Sequence, residues 1–278
     1  MLALLIQKIS KRVLTLLSST ILVAGLTVGC SSGSSESKVT ISGSTSVGPT
    51  MEVLAEGFNK TNPDVKIEIQ QVGSSAGIKS TIEGTSEIGM ASRDLKDEEK
   101  SELQETEIAL DGIAVITNNA NTVKDLTVDQ VRDIYTGKIT NWKEVGGKDA
   151  PIVVVSREDG SGTRDGFQEK VGFESEELVS GAQITDGSGN IKSTVAGNEN
   201  AIGYISFGYA DDTVNTLNIN GVEPTSENVK NDSYVIARPF ILVNKADGLS
   251  ENGKALIDYI LSDEGQTVVE SKGLISIK

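Results

Sequence analysis

Apolar and polar positions alternate in short runs, and turns rich in glycine and serine separate these runs. Residues 39–42 and 65–70 show the period of two that is typical of β-strands with one buried face. A helix is predicted over residues 49–58, because it begins at Pro49 and ends before Asn62-Pro63. This order of strand, turn and helix continues through most of the chain and predicts an α/β fold with mostly parallel sheets.

The middle and the end of the chain extend the same pattern. Residues 152–155 are continuously apolar, as in a strand covered on both faces, and Thr127-x-x-Gln130 is a capping box for a helix through Tyr135. Further strands are predicted at residues 87–92, 108–117, 201–205 and 235–243, and further helices at residues 78–83, 96–103, 190–196, 255–261 and 265–271.

The N-terminal segment differs in kind from the rest. Residues 13–28 are apolar and uncharged and follow Lys8, Lys11 and Arg12, which predicts a signal peptide over residues 1–29. The apolar run is shorter than the roughly 20 residues of a membrane span. Cys30 and a Ser/Gly-rich tract follow it, so residues 30–37 resemble a lipidated cysteine with a flexible tether. The alternative is an ordinary secretory signal with an incidental cysteine.

Charge and composition restrict the function classes. The formal net charge is −15, and it becomes −18 once residues 1–29 and their three positive charges are removed. Nucleic acid is therefore not an expected partner. An anion site on such a chain must rely on hydrogen-bond donors aimed at the ligand. A single cysteine excludes an internal disulfide.

Three turns at predicted strand ends share one design. They are Gly43-Ser44-Thr45-Ser46, Gly73-Ser74-Ser75 and Gly160-Ser161-Gly162-Thr163, the last preceded by Arg157. Glycine lets the backbone approach an oxyanion, hydroxyls donate hydrogen bonds, and a guanidinium matches two oxygens at once. Asp-Gly-Ser-Gly alone is also a common turn. Its repetition at the carboxyl ends of strands, where ligands of α/β folds bind, favours an oxyanion cradle.

These motifs carry a family resemblance. With Ser42-Gly43-Ser44-Thr45-Ser46, Val72-Gly73-Ser74-Ser75 and Arg157-x-Asp-Gly-Ser-Gly-Thr163 in order, residues 39–277 resemble the phosphate-binding proteins of bacterial ABC transporters, the PstS family. The resemblance implies a two-lobed type II periplasmic-binding-protein fold with the ligand in the cleft between the lobes. Lobe 1 would comprise residues 38–114 and 236–278, lobe 2 would comprise residues 115–235, and residues 108–117 and 235–243 would cross between them.

The resemblance also implies a function and a site. We expect a lipid-anchored monomer on the extracytoplasmic face of the cell membrane, which captures inorganic phosphate, delivers it to an ABC permease and needs no cofactor or metal. The phosphate ligands carried over from the family are, from lobe 1, Thr45, Ser46 and Ser74, and, from lobe 2, Arg157, Ser161, Gly162 and Thr163.

The sequence departs from the family at Arg93. Many members have an aspartate here that accepts the proton of hydrogen phosphate and so helps to reject sulfate. We add Arg93 to the predicted ligands as a donor; the alternatives are that it is a solvated surface residue, that Asp94 turns inward, or that Asp159 orients Arg157. For Arg164, ligand contact and pairing with acidic neighbours are equally compatible with the sequence.

Other function classes fit the sequence less well. Gly73-Ser74-Ser75-Ala76-Gly77 has the spacing of a hydrolase nucleophile elbow, but the sequence contains no histidine for a catalytic triad or the commonest metal clusters. A phosphatase with carboxylates and a hard metal ion would need acidic residues that fall mostly in solvated helical patterns. We therefore expect no enzyme. Two alternatives remain among binding proteins. One is a binding protein for another tetrahedral oxyanion, such as sulfate, molybdate or phosphonate, and the other is a lipid-tethered adhesin or phosphate sensor.

Overall fold

The computed structural model describes residues 37–278. The predicted signal peptide, Cys30 and the tether as far as residue 36 lie outside the described residues. Within residues 37–278, none of the helices is both long and apolar enough to cross a lipid bilayer.

Strands and helices alternate as the hydrophobic pattern predicts. The strands are β1 (Ser37–Gly43), β2 (Val65–Gln71), β3 (Ile88–Ala91), β4 (Gln104–Asn118), β5 (Asp125–Leu126), β6 (Val153–Arg157), β7 (Gln183–Thr185), β8 (Ala201–Ser206), β9 (Val214–Thr216), β10 (Asn218–Ile219) and β11 (Ala237–Asn244). The α-helices are α1 (Gly48–Asn59), α2 (Ser74–Glu83), α3 (Asp97–Lys100), α4 (Val128–Tyr135), α5 (Gly162–Val171), α6 (Gly187–Ala196), α7 (Ser226–Lys230), α8 (Glu251–Ile260) and α9 (Asp263–Ser271). Short 3₁₀ helices lie at Trp142–Val145, Ser175–Glu177 and Phe207–Tyr209.

The main sheet has the strand order β2-β1-β3-β11-β4-β8-β6-β7, with β9 also paired to β4. The pairs β1–β2, β1–β3, β6–β7 and β6–β8 are parallel. In contrast, β11 runs antiparallel to β3 and β4, and β4 runs antiparallel to β8. The predicted α/β class is confirmed, but the sheet is more mixed than expected, because the strands that connect its two halves run against their neighbours.

Strand β4 joins two separately packed cores and so defines two lobes. Its first part pairs with β11 as far as Gly112, and its second part pairs with β8 from Ile113 onward. The core of lobe 1 contains Val39, Met51, Leu54, Met90, Phe240 and Leu256, and that of lobe 2 contains Val115, Ile134, Tyr135, Trp142, Phe167 and Tyr204. On this basis we propose the lobe boundaries 38–114, 115–235 and 236–278.

Several helices begin earlier than the apolar periodicity indicated, and this positions the site. Helix α2 begins at Ser74, not near residue 78, and α6 begins at Gly187, not near residue 190. Both begin inside a Gly/Ser turn, where Gly73 and Gly187 adopt positive φ angles of 91° and 71° that favour glycine. The first free N–H groups of these helices therefore belong to the turns themselves. The predicted helix over residues 96–103 shortens to α3, which has no buried residue.

Candidate oxyanion-binding site

Four helices begin at the carboxyl ends of strands, two in each lobe. Helices α1, α2, α5 and α6 follow β1, β2, β6 and β7 respectively. The first turns of α1, α2 and α6 contain no acidic residue, so no carboxylate in those turns offsets the positive end of the helix dipole. The two lobes meet here, because Ser75 N–H donates to the carbonyl of Gly160 at 3.2 Å. This arrangement suits an anion.

Hydroxyl groups from both lobes meet at the centre of this region. Ser46 Oγ lies 2.8 Å from Thr163 Oγ1. Arg157 donates from Nη1 to Thr163 Oγ1 at 3.3 Å and from Nη2 to Thr45 Oγ1 at 2.9 Å. Ser46, Arg157 and Thr163 are all at most 3% exposed. Four of the predicted ligands thus form one connected hydrogen-bond network that joins the lobes.

Arg157 is held in place by its sequence neighbour. Its Nε and Nη2 atoms both donate to the Glu158 carboxylate at 2.7 Å, and its backbone N–H donates to Tyr204 Oη at 3.1 Å. Burial opposes ionisation of Glu158, but the hydrogen bonds from Arg157 outweigh it and lower the pKa of this carboxyl. Glu158 therefore orients the guanidinium, and the alternative in which Asp159 does so is wrong.

Asp159 pairs instead with Arg164. Arg164 Nη1 donates to Asp159 Oδ1 at 2.5 Å and to the carbonyl of Arg157 at 3.2 Å. Arg164 therefore pairs with an acidic neighbour and supports the backbone of the cradle, which is one of the two roles left open by the sequence.

Ser74 and Gly162 adjoin the central network from opposite lobes. Ser74 Oγ lies 3.3 Å from Ser92 Oγ and accepts from Ser92 N–H at 3.2 Å, and Ser44 Oγ donates to Ser92 Oγ at 2.9 Å. A Cβ atom on Gly162 would lie only 2.4 Å from Ser74 Oγ. Position 162 therefore has no room for a side chain. Ser161 Oγ accepts from Arg164 N–H at 3.3 Å and caps α5, which leaves its own O–H as a donor.

Arg93 lies at the edge of this hydrogen-bonded group of residues, and carboxylates neutralise its charge. It is 5% exposed; its Nη1 and Nη2 donate to Glu99 at 2.7 and 2.9 Å, and its Nε lies 3.0 Å from Asp165 Oδ2. Its nearest link to the cluster is a donation from Nη2 to Ser75 Oγ at 3.4 Å. The solvated-surface interpretation of Arg93 is wrong, and so is an inward-turned Asp94, whose side chain is exposed.

Glu99, Glu158, Asp159 and Asp165 each pair with an arginine beside the site. Burial, the largest effect, acts to raise the pKa of Glu99, but the Arg93 guanidinium outweighs it and the pKa is lowered. For Asp165 burial prevails over Arg93 and raises the pKa.

Within residues 37–278, no group of three or more His, Cys, Asp or Glu side chains is placed to hold a metal ion. The arrangement therefore offers hydroxyl, guanidinium and backbone donors, which together suit a tetrahedral oxyanion.

Two residues that the sequence analysis missed complete the surroundings. Ser188 is fully buried, and its Oγ lies 3.4 Å from Ser46 Oγ. Tyr209 Oη donates to the carbonyl of Thr45 at 2.9 Å across the lobes. The signal for Ser188 was present, because Asp186-Gly187-Ser188-Gly189 repeats the Asp-Gly-Ser-Gly pattern of residues 159–162. Tyr209 has no comparable sequence signal.

Two lobes joined by a crossing strand, with an oxyanion cradle where they meet, define a solute-binding protein of the periplasmic-binding-protein class. The sequence agrees, since residues 30–264 match the model of the PBP superfamily domain. The chain belongs to the PstS family of phosphate-binding proteins. It is 38% identical over 249 residues to the phosphate-binding protein PstS of Bacillus subtilis, which covers 86% of this chain and 80% of that protein.

Solved structures give the same family. A substrate-binding protein described as part of a phosphate ABC transporter of Clostridium perfringens, crystallised with bound phosphate, is 66% identical with a TM-score of 0.86 and covers 87% of this chain and 100% of its own. An ABC-type phosphate transport receptor from Vibrio cholerae is 37% identical with a TM-score of 0.75 and covers 86% of this chain and 100% of its own.

Proposed function

We propose that this protein captures inorganic phosphate outside the cytoplasm and delivers it to an ABC permease. The observation that carries the proposal is the network of Thr45, Ser46, Arg157 and Thr163, in which side chains of both lobes converge on one point. The C. perfringens relative with bound phosphate supports the choice of ligand. The proposed ligands are Thr45, Ser46, Ser74, Arg93, Arg157, Ser161, Gly162 and Thr163.

The chemistry of the donors explains how an anion can displace the contacts now present. Ser46 and Thr163 bond to each other, and each hydroxyl can rotate to donate to a ligand oxygen. Arg157 already spans Thr45 and Thr163 with two nitrogen atoms, so a phosphate between the lobes would receive a two-point, charge-assisted contact. Arg93 remains a proposed donor at the edge of the site, where its Nη2 donates to Ser75 Oγ at 3.4 Å.

Selection of phosphate would rest on hydroxyl groups. Because Glu99, Glu158, Asp159 and Asp165 each pair with an arginine, the acceptor for a phosphate proton would be a hydroxyl lone pair. A hydroxyl can also donate to sulfate, so discrimination between the two anions is the property that separates our proposal from a protein for another tetrahedral oxyanion.

The location is part of the proposal. A signal peptide over residues 1–29 and a lipidated Cys30 would place the protein at the outer face of the cell membrane, next to the permease. The dense negative charge of the chain is compatible with this role, because the donors of the cradle act on phosphate at short range.

Isothermal titration calorimetry on the full-length protein tests the function. We expect phosphate to bind more tightly than sulfate. We expect Arg157→Ala to weaken phosphate binding by about 100-fold or more, since it removes hydrogen bonds to a charged ligand worth about 1.5–3 kcal/mol each. Arg132→Ala is the matched control, because Arg132 lies in lobe 2 on helix α4, is partly exposed and pairs with Asp129. Absence of phosphate binding, or equal binding of sulfate, would overturn the proposal.

A further inference from the structure

The Asp-Gly-Ser-Gly turn that contributes to the proposed anion site occurs twice in lobe 2. Asp159-Gly160-Ser161-Gly162 follows β6, and Asp186-Gly187-Ser188-Gly189 follows β7. These strands are parallel neighbours, with Arg157 paired to Thr185, so the two turns lie side by side at one edge of the sheet. In both turns the glycine after the aspartate has a positive φ, 81° and 71°. In both, the aspartate is exposed and the serine is buried.

The second turn differs in how its serine is used. Ser161 caps α5, but α6 already begins at Gly187, so Ser188 lies inside the first turn of the helix. The preceding Asp186 makes no side-chain capping bond, and the first turn of α6 has no acidic residue. The side chain of Ser188 is therefore released from capping its own helix.

Ser188 points to the proposed phosphate site. Its Oγ is fully buried and lies 3.4 Å from Ser46 Oγ, which in turn lies 2.8 Å from Thr163 Oγ1. A bond of 3.4 Å between hydroxyls is long, so it holds the Ser188 O–H only weakly. Two hydroxyl oxygens at this separation can each lie about 2.7 Å from one anionic oxygen.

The start of α6 is also tied to Arg157. Burial acts to raise the pKa of Glu158, but Arg157 and the backbone of Gly187 lower it, and the Glu158 carboxylate binds the Arg157 guanidinium at 2.7 Å. A Cβ atom on Gly187 would lie 3.9 Å from Thr45 Oγ1. The first turn of α6 thus lies beside Thr45 and beside the carboxylate that holds Arg157, and the sequence assigned both Thr45 and Arg157 to the ligand.

We propose that Ser188 is a further phosphate ligand, with its hydroxyl donating to the anion alongside Ser46 and Thr163. This inference rests on the proposed function of the site. It gives lobe 2 two helix N-termini at the ligand, one from each copy of the turn, and it makes the positive end of the α6 dipole part of the anion site.

Calorimetry of phosphate binding by the full-length Ser188→Ala variant tests the assignment. Loss of a hydroxyl bond to a charged ligand is expected to raise the Kd for phosphate by about 10- to 100-fold. Ser193→Ala is the matched control, because Ser193 lies on the same helix, is exposed, and its hydroxyl bonds only to the Gly189 carbonyl in the described part of the chain. It should leave the Kd unchanged.

A second measurement separates ligand binding from packing. The melting temperature of Ser188→Ala without phosphate should match that of the wild type, while its rise at a fixed phosphate concentration should be smaller. Ser188→Cys, which keeps the side-chain shape but is a weak donor, should show the same loss of affinity if the alanine variant folds poorly.

The outcomes are distinct. The role of Ser188 would be overturned if the Kd of Ser188→Ala equalled that of the wild type. It would also be overturned if the variant lost affinity but its melting temperature without phosphate fell as well, because the loss would then come from disturbed packing. Either result would leave the proposed function intact. A wild-type protein that binds no phosphate would overturn the proposed function itself.

Discussion

A buried ion pair connects the crossing strands of the two lobes. Asp111 on β4 faces Arg238 on β11, and its Oδ2 accepts from Arg238 Nε at 3.2 Å and from Nη2 at 2.8 Å. Asp111 Oδ1 also accepts from Ser206 Oγ at 2.8 Å and Phe207 N–H at 3.2 Å, at the end of β8. Asp111 is 0% and Arg238 is 2% exposed. The pair therefore lies where the chain passes from one lobe to the other.

We expect Asp111→Ala to destabilise the fold strongly. Arg238 stays charged at any ordinary pH, so removal of its carboxylate partner leaves an uncompensated buried charge, which costs about 3–5 kcal/mol. For a chain of this size 1 kcal/mol corresponds to about 2–4 °C, and the melting temperature should therefore fall by roughly 6–20 °C.

Thermal unfolding of the full-length protein, followed by circular dichroism, measures this effect. The control is Glu83→Ala, which removes an exposed ion pair with Lys79 and should cost about 0.5 kcal/mol or less. Burial raises the pKa of Asp111 even beside Arg238, which indicates that the pair does not fully offset its desolvation. The double variant Asp111→Leu/Arg238→Met leaves no unpaired charge. Its loss of stability should therefore be far smaller than the sum of the losses in Asp111→Leu and in Arg238→Met.

The reasoning would be refuted if Asp111→Ala lowered the melting temperature no more than Glu83→Ala. It would also be refuted if the double variant were as unstable as the two single variants added together, because the cost would then come from lost packing and not from an unpaired charge.

Two further predictions concern Glu158 and Cys30. Burial acts to raise the pKa of Glu158, but Arg157 lowers it below the ordinary 4.5, so its contribution to stability is complete above pH 4.5 and is lost as the pH falls further. The melting temperature of Glu158→Gln should therefore fall less than that of the wild type between about pH 5 and about pH 3. An equal fall in the two proteins would contradict the ion pair. Cys30→Ala should shift the protein from the membrane fraction to the soluble fraction of the host bacterium, and unchanged partitioning would argue against a lipid anchor.

At Arg93 the local sequence did not indicate the partners that the tertiary structure provides. Its position after Ala-Ser predicted a ligand donor, yet its guanidinium lies between Glu99 on α3 and Asp165 on α5. Asp165 is far away in sequence and approaches only because α5 of lobe 2 packs against lobe 1 at this point. No spacing rule within the segment around Arg93 could have indicated this partner.

Strands, turns and most helices were predictable because their causes are local. Period-two alternation follows from side chains pointing to opposite faces of a strand, and the Thr127 capping box, with Gln130 N–H donating to Thr127 Oγ1 at 3.1 Å, needs only four consecutive residues. The same locality explains why the Gly/Ser turns could be assigned to strand ends. The helices that begin within those turns were placed too late, since glycine and serine have no apolar periodicity.

By itself, the sequence determined the α/β class, the order of the elements and the hydroxyl, glycine and arginine content of the cradle. Only the tertiary structure decided which of these groups meet. Arg157 reaches Thr45 across 112 positions and Ser46 reaches Thr163 across 117, while Glu158 was selected over Asp159 as the partner of Arg157. The physical reason is that hydrogen bonds and ion pairs act over a few ångströms, and the distances between these groups are set by how β4 and β11 bring the two lobes together.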